Sequence, residues 1–406
     1  MHPTKLYTFG GAYPFLSPLL GGIAFADIQK GAISLKKILF VANVLKKHIC
    51  VFHMPLLEKL KKEGYEIHIA ARNDADEHMR SLICDRYYNI PFIHSPFHIQ
   101  NLHNYRMLRS LLETEHFDII HCHTPIASVL LRLACKKTRN NGTKVIYTAH
   151  GFHFCKDTPF WNRLLYYPIE KLCAKQTDLL ITINEEDFSF AKQKLPIAKI
   201  VYVPGVGIDT KRFATSPVER QANRIKLSVR ENAFLMLSIG ELSQNKNHKT
   251  IIRALATLKS PDIHYIIAGE GKEEKVLRRL AKKLGVADRV HLLGYRYDIP
   301  ELCKLADLYI HPSYREGLPI AVIEAMASGL PVIGSDIRGN RELIDSKGGT
   351  LCTPNDIQGF AKAIIQHRND RTLALAKGAY NAQKARAYEK DDIDRMILQL
   401  YRNEAS

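Results

Sequence analysis

The chain has 406 residues, 46% of them apolar and 24% charged, a composition that suits two globular cores and excludes a disordered or collagen-like chain. Lysine and arginine number 58 against 41 acidic residues, a formal net charge of +17, so the expected partners are anionic: phosphates, nucleotides or an acidic membrane surface. Zinc-finger spacing and an aromatic RNA-reading segment are both missing, which argues against a nucleic-acid partner.

Eight cysteines, at positions 50, 84, 122, 135, 155, 173, 303 and 352, form no CxxC pair, unlike a disulfide framework or a structural zinc site, and they fit a reducing compartment. No apolar run reaches the roughly eighteen residues of a spanning helix. The chain is therefore expected in the cytoplasm, with peripheral contact at the inner face of the plasma membrane. Phe9 to Ala26 is apolar and ends in Ala24-Phe25-Ala26, a literal signal-peptidase pattern. Its basic end has only Lys5, and Pro14 and Pro18 interrupt the apolar part. Residues 1–34 are instead expected to be a poorly packed extension preceding Leu35.

From Lys37 onward, apolar strands alternate with amphipathic helices, the pattern of parallel sheets covered on both faces. Strands are predicted over 37–43, 65–71, 117–123, 144–150, 178–184 and 199–204, with helices near 52–63, 76–86, 126–138, 159–175 and 185–194. Each strand is a continuous Val/Ile/Leu-rich run, as burial on both faces requires. After Pro204 the rhythm is lost, and an interdomain link is expected there. A second series follows, with strands over 234–240, 264–269, 290–294, 308–313, 331–336 and 348–352 and helices near 247–259, 272–284, 298–304 and 319–328. The fold class is thus α/β: two Rossmann-like, doubly wound parallel-sheet domains, 35–210 and 211–385, facing a central cleft where ligands sit at the strand C-terminal edges. A final helix within 386–406 is expected to return to the first domain.

Chemistry is concentrated at those edges. Glu316-Gly317-Leu318-Pro319 ends a strand, and Glu324 lies eight positions further on, about two helical turns, so both carboxylates can face one cleft. Gly317 permits close approach to the backbone, and amides at a helix start suit an anion. Upstream, Gly240-Glu241-Leu242-Ser243-Gln244-Asn245-Lys246 closes another strand, where a lysine can neutralise a diphosphate leaving group. Gly269-Glu270-Gly271 and Gly294-Tyr295 end two more. In the first half, Thr148-Ala149-His150-Gly151 and His123-Thr124-Pro125 end strands that face the cleft. His121 and His123 alternate onto one face without a matched third ligand, so no metal is expected. Asp74-Ala75-Asp76 is a literal DxD, but between a strand and a helix it is accounted for by capping.

The stretch from Ser313 to Val332 resembles the signature of family-4 retaining glycosyltransferases of the GT-B fold: the Glu-Gly-x-Pro turn, Glu324-Ala325 on the helix, and Gly329-Leu330-Pro331-Val332. KKILFVAN, YEIHIAA, YTAHGFHF and LLYYPIEKL resemble the subgroup associated with capsule and exopolysaccharide assembly, and the likeness covers nearly everything from Leu35 onward. It implies a catalytic group of Glu316, Lys246 and His150, with Glu316 beside the transferred sugar and His150 bonding its hydroxyls. Donor-binding positions are then Gly240, Asn245, Gly269, Gly271, Tyr295, Gly317, Leu318 and Glu324, the last accepting from the ribose, while His123 and Thr124 line the acceptor side. Pro204-Gly205-Val206-Gly207-Ile208-Asp209 resembles the family hinge.

The implied reaction moves a hexose or N-acetylhexosamine from a UDP-sugar to a polyprenyl-diphosphate-linked saccharide. It retains configuration by front-face substitution and needs neither metal nor other cofactor. Glu241 stands where the family carries arginine, which removes one of two cations from the diphosphate. A nucleotide-sugar epimerase and a non-catalytic nucleotide-sugar-binding subunit share the same architecture. Lys46, Lys47, Lys59, Lys61 and Lys62, with Arg132, Lys136, Lys137 and Arg139, are expected to give a cationic surface for anionic lipid.

Overall fold

The computed structural model describes residues 36–405 apart from 94, 155–157, 159, 218 and 228. The expectations for residues 1–34 lie outside the described residues. Among the described residues, thirteen strands form two parallel sheets. The first contains β1 (Lys37–Val44), β2 (Glu66–Arg72), β3 (Arg86–Asn89), β4 (Ile119–Cys122), β5 (Lys144–Ala149), β6 (Leu179–Thr182) and β7 (Lys199–Tyr202), in the order β3-β2-β1-β4-β5-β6-β7. The second contains β8 (Phe234–Ile239), β9 (Ile263–Ala268), β10 (Val290–Leu292), β11 (Leu308–His311), β12 (Val332–Ser335) and β13 (Gly349–Cys352), in the order β10-β9-β8-β11-β12-β13. Each order reverses beside its first strand, between β1 and β4 and between β8 and β11, and ligands of doubly wound sheets bind outside the strand ends at such a switch point.

Strand side chains divide between two cores because successive Cβ atoms point to opposite faces. In β1, Leu39 and Val41 join one cluster while Ile38, Phe40 and Ala42 join another; in β8, Leu235 and Leu237 separate from Met236 in the same way. An aspartate before a strand recurs as a register pin: the carboxylates of Asp118, Asp85, Asp178 and Asp307 accept from the amides of Lys37, Ile67, Val145 and Leu235 at 2.7, 2.7, 2.9 and 2.8 Å. Asp76 caps the helix Glu77–Ile83 by accepting from Met79 N at 2.8 Å, and Asp74 accepts from Lys46 N. The DxD pair thus caps a helix through Asp76 and ties its turn to the segment after β1 through Asp74.

Several elements differ from expectation. Strand β3 and the helix Gln100–Thr114 occupy a stretch to which no element was assigned. That helix buries Asn101 and Asn104, whose amides donate to the carbonyls of Ser95 (2.8 Å) and Pro91 (3.0 Å), so polar residues hold core positions and break the apolar period. The link after Pro204 carries two short helices, Thr210–Thr215 and Arg220–Lys226. Arg224, in the second, is 1% exposed and donates to the carbonyls of Leu305, Glu231 and Ala233, which ties that segment to the second sheet. The last helix, Lys390–Ala405, packs Ile393, Ile397 and Tyr401 into the core behind β1. Where the chain enters it, Lys390 N donates to Ile208 O and Ile208 N to Tyr388 O, both at 2.9 Å.

The expected cationic surface is largely neutralised from within. Arg132 is fully buried against Glu170 at 2.5 Å, its guanidinium 4.0 Å from the Tyr147 ring centroid. Lys59 bridges Asp391 and Asp394, Lys61 faces Asp85, Lys137 faces Glu113 and Arg139 grips Asp178. Removing one partner of a buried pair strands the other charge. Arg132→Ala is accordingly expected to lower unfolding free energy in urea by about 3–5 kcal/mol, whereas the paired change Arg132→Met with Glu170→Met should lower it by much less.

Candidate active site

Lys246 and Glu316 meet at the switch point of the second sheet. The loop after β8 runs through Ser243 to Asn247, where Asn247 adopts a left-handed φ of 51° and opens the helix His248–Thr257. Three hydrogen bonds fasten this loop to the one after β11: Tyr314 N to Asn245 O at 2.8 Å, Asn245 Nδ2 to Arg315 O at 3.0 Å and Asn247 Nδ2 to Pro312 O at 3.1 Å. Asn245 is therefore a brace between the two loops. So held, Lys246 Nζ donates to Glu316 Oε1 at 2.6 Å, and His311 Nε2 lies 3.2 Å from the same oxygen and from Ser313 Oγ.

Burial alone would raise the Glu316 pKa, but Lys246 and His311 outweigh it and hold the carboxyl well below the usual range. Lys246 also lies along Gly240, a Cβ on which would meet its Cε at 3.2 Å. His311 was not singled out from sequence; its only signal was a histidine ending a strand in the row that already held Gly240 and Gly269.

Glu324 stands apart from this pair. On the helix Ile320–Ala327 it lies near Cys303, Tyr309 and Arg212, and burial raises its pKa to about 7 against the opposing pull of Arg212. Among the described residues no hydrogen bond joins it to Lys246 or Glu316. Gly269 and Gly271 are packed against neighbouring backbone: a Cβ on Gly269 would fall 1.9 Å from Gly240 O, and one on Gly271 2.4 Å from Leu242 O. Tyr295, 62% exposed, stands edge-on to Tyr297 with ring centroids 5.0 Å apart, and its amide faces Glu270 at 3.4 Å.

The two lobes meet over this pair. At Gly317 the close approach comes from within the protein, since a Cβ there would lie 2.0 Å from His150 O. Leu318, 8% exposed, covers Gly205 of the link. Beside them Arg338 Nη1 donates to Asp187 Oδ1 at 2.6 Å in a buried pair, and the other Asp187 oxygen accepts from Phe152 N at 3.0 Å and Asn184 Nδ2 at 2.9 Å. Glu342 accepts from Tyr202 Oη at 2.6 Å and Glu185 N at 3.0 Å.

On the first sheet the acceptor-side expectations are altered. Thr124 Oγ1 is committed to Asn43, accepting from its amide at 2.8 Å and donating to Oδ1 at 2.9 Å. His123 is 1% exposed and lies among His48, His53 and His150, so it faces other imidazoles and not an open surface. Sequence spacing gave His123 no third ligand because His48 and His53 are five residues apart, which matches neither helix nor strand period; a π-helical turn, Leu45–Cys50, brings them together.

Residues 219–386 match the family described as glycosyl transferases group 1, and residues 37–184 match glycosyl transferase 4-like. EpsD of Bacillus subtilis (strain 168), described by its name as a glycosyltransferase, is 44% identical over 336 residues, covering 82% of this chain and 87% of EpsD. The chain belongs to the group 1, family-4-like glycosyltransferases. The glycosyltransferase is also 30% identical, over 68% of its length and 73% of the relative's, to the UDP-Gal:alpha-D-GlcNAc-diphosphoundecaprenol alpha-1,3-galactosyltransferase of Escherichia coli. Its fold matches Anabaena HepE, crystallised in complex with UDP and glucose, at a TM-score of 0.74 and 22% identity, covering 90% of this chain and 99% of HepE. WaaG, a glycosyltransferase involved in lipopolysaccharide biosynthesis, matches at a TM-score of 0.69 and 19% identity, over 89% of this chain and 99% of WaaG.

Because no side chain fits at Gly317 with the lobes in contact, Gly317→Ala should force the cleft apart. Transfer, measured as product formed, is expected to fall by on the order of 100-fold, the effect of roughly 1 Å of misplacement.

Proposed function

We propose that this glycosyltransferase moves a hexose or N-acetylhexosamine from a UDP-sugar to a polyprenyl-diphosphate-linked saccharide, with retention of configuration, in assembly of a capsule or exopolysaccharide. The observation that carries this reading is the Lys246–Glu316 pair at 2.6 Å, fixed at a switch point by bonds between two strand-end loops. Lys246 would meet charge developing on the departing diphosphate, in the place where other enzymes use a metal. Glu316, kept ionised, would lie beside an oxocarbenium-like sugar. The departing phosphate oxygen takes the acceptor proton on the same face, so no side-chain base is required. Gly240, Gly269 and Gly271, together with the amides of Gly317 and Leu318, would flank the diphosphate and sugar, Tyr295 the base, and Glu324 the ribose. His150, whose Nε2 is buried and without a hydrogen-bond partner, would bond a sugar hydroxyl. The name of the Escherichia coli relative, with its UDP-linked donor and diphosphoundecaprenol acceptor, supports the donor and acceptor classes.

An apolar cavity of about 150 Å³ beside Gly151 and Phe152 supports a lipid-bearing acceptor. Phe97, Ile126, Leu130 and Ile169 help line it. Phe97 is 78% exposed, and Phe160 and Trp161, 71% and 73% exposed, begin the helix Phe160–Ala174 that forms one wall. Exposed aromatics of this kind suit the bilayer boundary. No helix among the described residues is long and apolar enough to cross a membrane.

Mass spectrometry of products from UDP-galactose and a synthetic polyprenyl-diphosphate saccharide tests the reaction. Glu316→Ala and Lys246→Ala are each expected to lose at least about 100-fold in kcat, the scale of removing a transition-state charge partner, with folding intact. An epimerised nucleotide sugar formed without acceptor would support an epimerase; full pathway function in both variants would support a non-catalytic subunit. Donor binding should also depend on pH. Glu324, with its pKa near 7, accepts charge-assisted hydrogen bonds only when ionised, so the Kd for UDP-galactose should fall several-fold from pH 6 to 8. Glu324→Gln should bind more weakly and show no such slope.

A further inference from the structure

The switch point of the first sheet carries a second constellation. His48 and His53 follow β1, His123 follows β4 and His150 follows β5. One ring nitrogen from each can be chosen so that all four lie within 4.8 Å of one another. Every pair of rings is close, from 4.2 Å between the centroids of His53 and His123 to 6.1 Å for His53 and His150. Four imidazoles placed tetrahedrally about an ion at 2.0–2.1 Å have centroids roughly 5 Å apart and ligand atoms about 3.3 Å apart, which small side-chain rotations would reach.

Three observations separate this group from ordinary packing. Nε2 of His48, His53 and His150 and both ring nitrogens of His123 are buried without a hydrogen-bond partner, whereas buried polar atoms are generally paired. Neighbouring His121 is different: Nε2 bonds Thr148 Oγ1 at 2.7 Å and Nδ1 bonds Tyr401 Oη, so it buttresses the group and is not available as a ligand. The π-helical turn Leu45–Cys50 presents His48 and His53 to the same point, and such turns are frequent at functional sites.

We infer that His48, His53, His123 and His150 form a binding site for one divalent cation of borderline softness, with Zn²⁺ as the type. Imidazole nitrogens that converge on one point suit a metal ion that prefers nitrogen ligands. Four neutral ligands leave the ion's full charge on the first-sheet side of the cleft, and the ion would tie together the loops after β1, β4 and β5. His150 gives the group one ring nitrogen, and the site does not depend on the proposed transfer reaction, because it is built wholly from the first lobe.

The test uses the full chain, stripped with a chelator and titrated separately with ZnCl₂ and CoCl₂. One Zn²⁺ per chain, a rise in the unfolding midpoint, and the intense visible bands of tetrahedral Co²⁺ are expected. His53→Ala and His123→Ala should weaken Zn²⁺ binding by more than the roughly 10–100-fold that loss of an outer-shell partner costs, while His78→Ala, at an exposed histidine, should leave it unchanged. Absence of stoichiometric binding, a weak octahedral Co²⁺ spectrum, or unaltered affinity in the His53 and His123 variants would overturn the inference. If those variants fail to fold, the Co²⁺ spectrum of the parent decides alone. UDP-galactose titration of the same preparations keeps the outcomes separate, since loss of donor binding leaves Zn²⁺ binding standing and the reverse.

Discussion

Contact between the lobes is the constraint on which the site depends. The His150 carbonyl rests against Gly317 at a distance that admits no Cβ, and the buried Asp187–Arg338 pair locks the same contact from one side. Arg338 belongs to the second lobe and Asp187 to the first, and Asp187 is itself held by Phe152 N and Asn184. A carboxylate buried in this way is stable only with its charge and lone pairs matched, so the ion pair forms only when the lobes come together in register. The hinge side is held by backbone bonds of Ile208 to Tyr388 and Lys390. Contact of this kind beside Lys246 and Glu316, whose side chains are 21% and 15% exposed, limits the water around them and strengthens their electrostatic interaction.

Within the second lobe the electrostatics are local. Glu316 is buried enough that burial alone would favour its neutral form, and Lys246 reverses that preference. The pair is held by main-chain bonds between the 243–247 and 312–316 loops, so its geometry does not rely on two flexible side chains finding each other. Glu324 shows the opposite balance, with burial prevailing over a single arginine. Two carboxylates on one strand-turn-helix unit therefore differ in charge near neutral pH because of what surrounds each, which is how one scaffold supplies groups for different tasks.

The basic composition has a structural outlet as well as a functional one. Arg132, Arg224 and Arg338 are buried, where they satisfy carboxylates and strand-end carbonyls, and several lysines expected on a lipid-facing surface are paired internally. The exposed feature near the first lobe's cleft is apolar instead, around Phe97, Phe160 and Trp161. A count of charges cannot distinguish these fates, since guanidinium groups carry the same formal charge whether solvated or buried against Glu170.

What the sequence by itself determined was periodicity and punctuation. Buried parallel strands are continuous apolar runs, so all six strands of the second sheet and six of the seven in the first were legible to within a few residues; the short edge strand β3, half exposed, was not. The Glu-Gly-x-Pro turn and the strand-end glycines marked the row that holds Lys246 and Glu316. Tertiary structure alone decided what required distant partners. Asn101 and Asn104 could be buried only because loop carbonyls accept from them, which hid the helix Gln100–Thr114. Gly317 proved to be where the lobes touch, Thr124 was already spent on Asn43, and His48 and His53 reached His123 and His150 through a π turn and a parallel crossover. Local patterns record which face a residue prefers. Which residues meet depends on strand order and lobe closure, and those are settled by the summed packing of the whole chain.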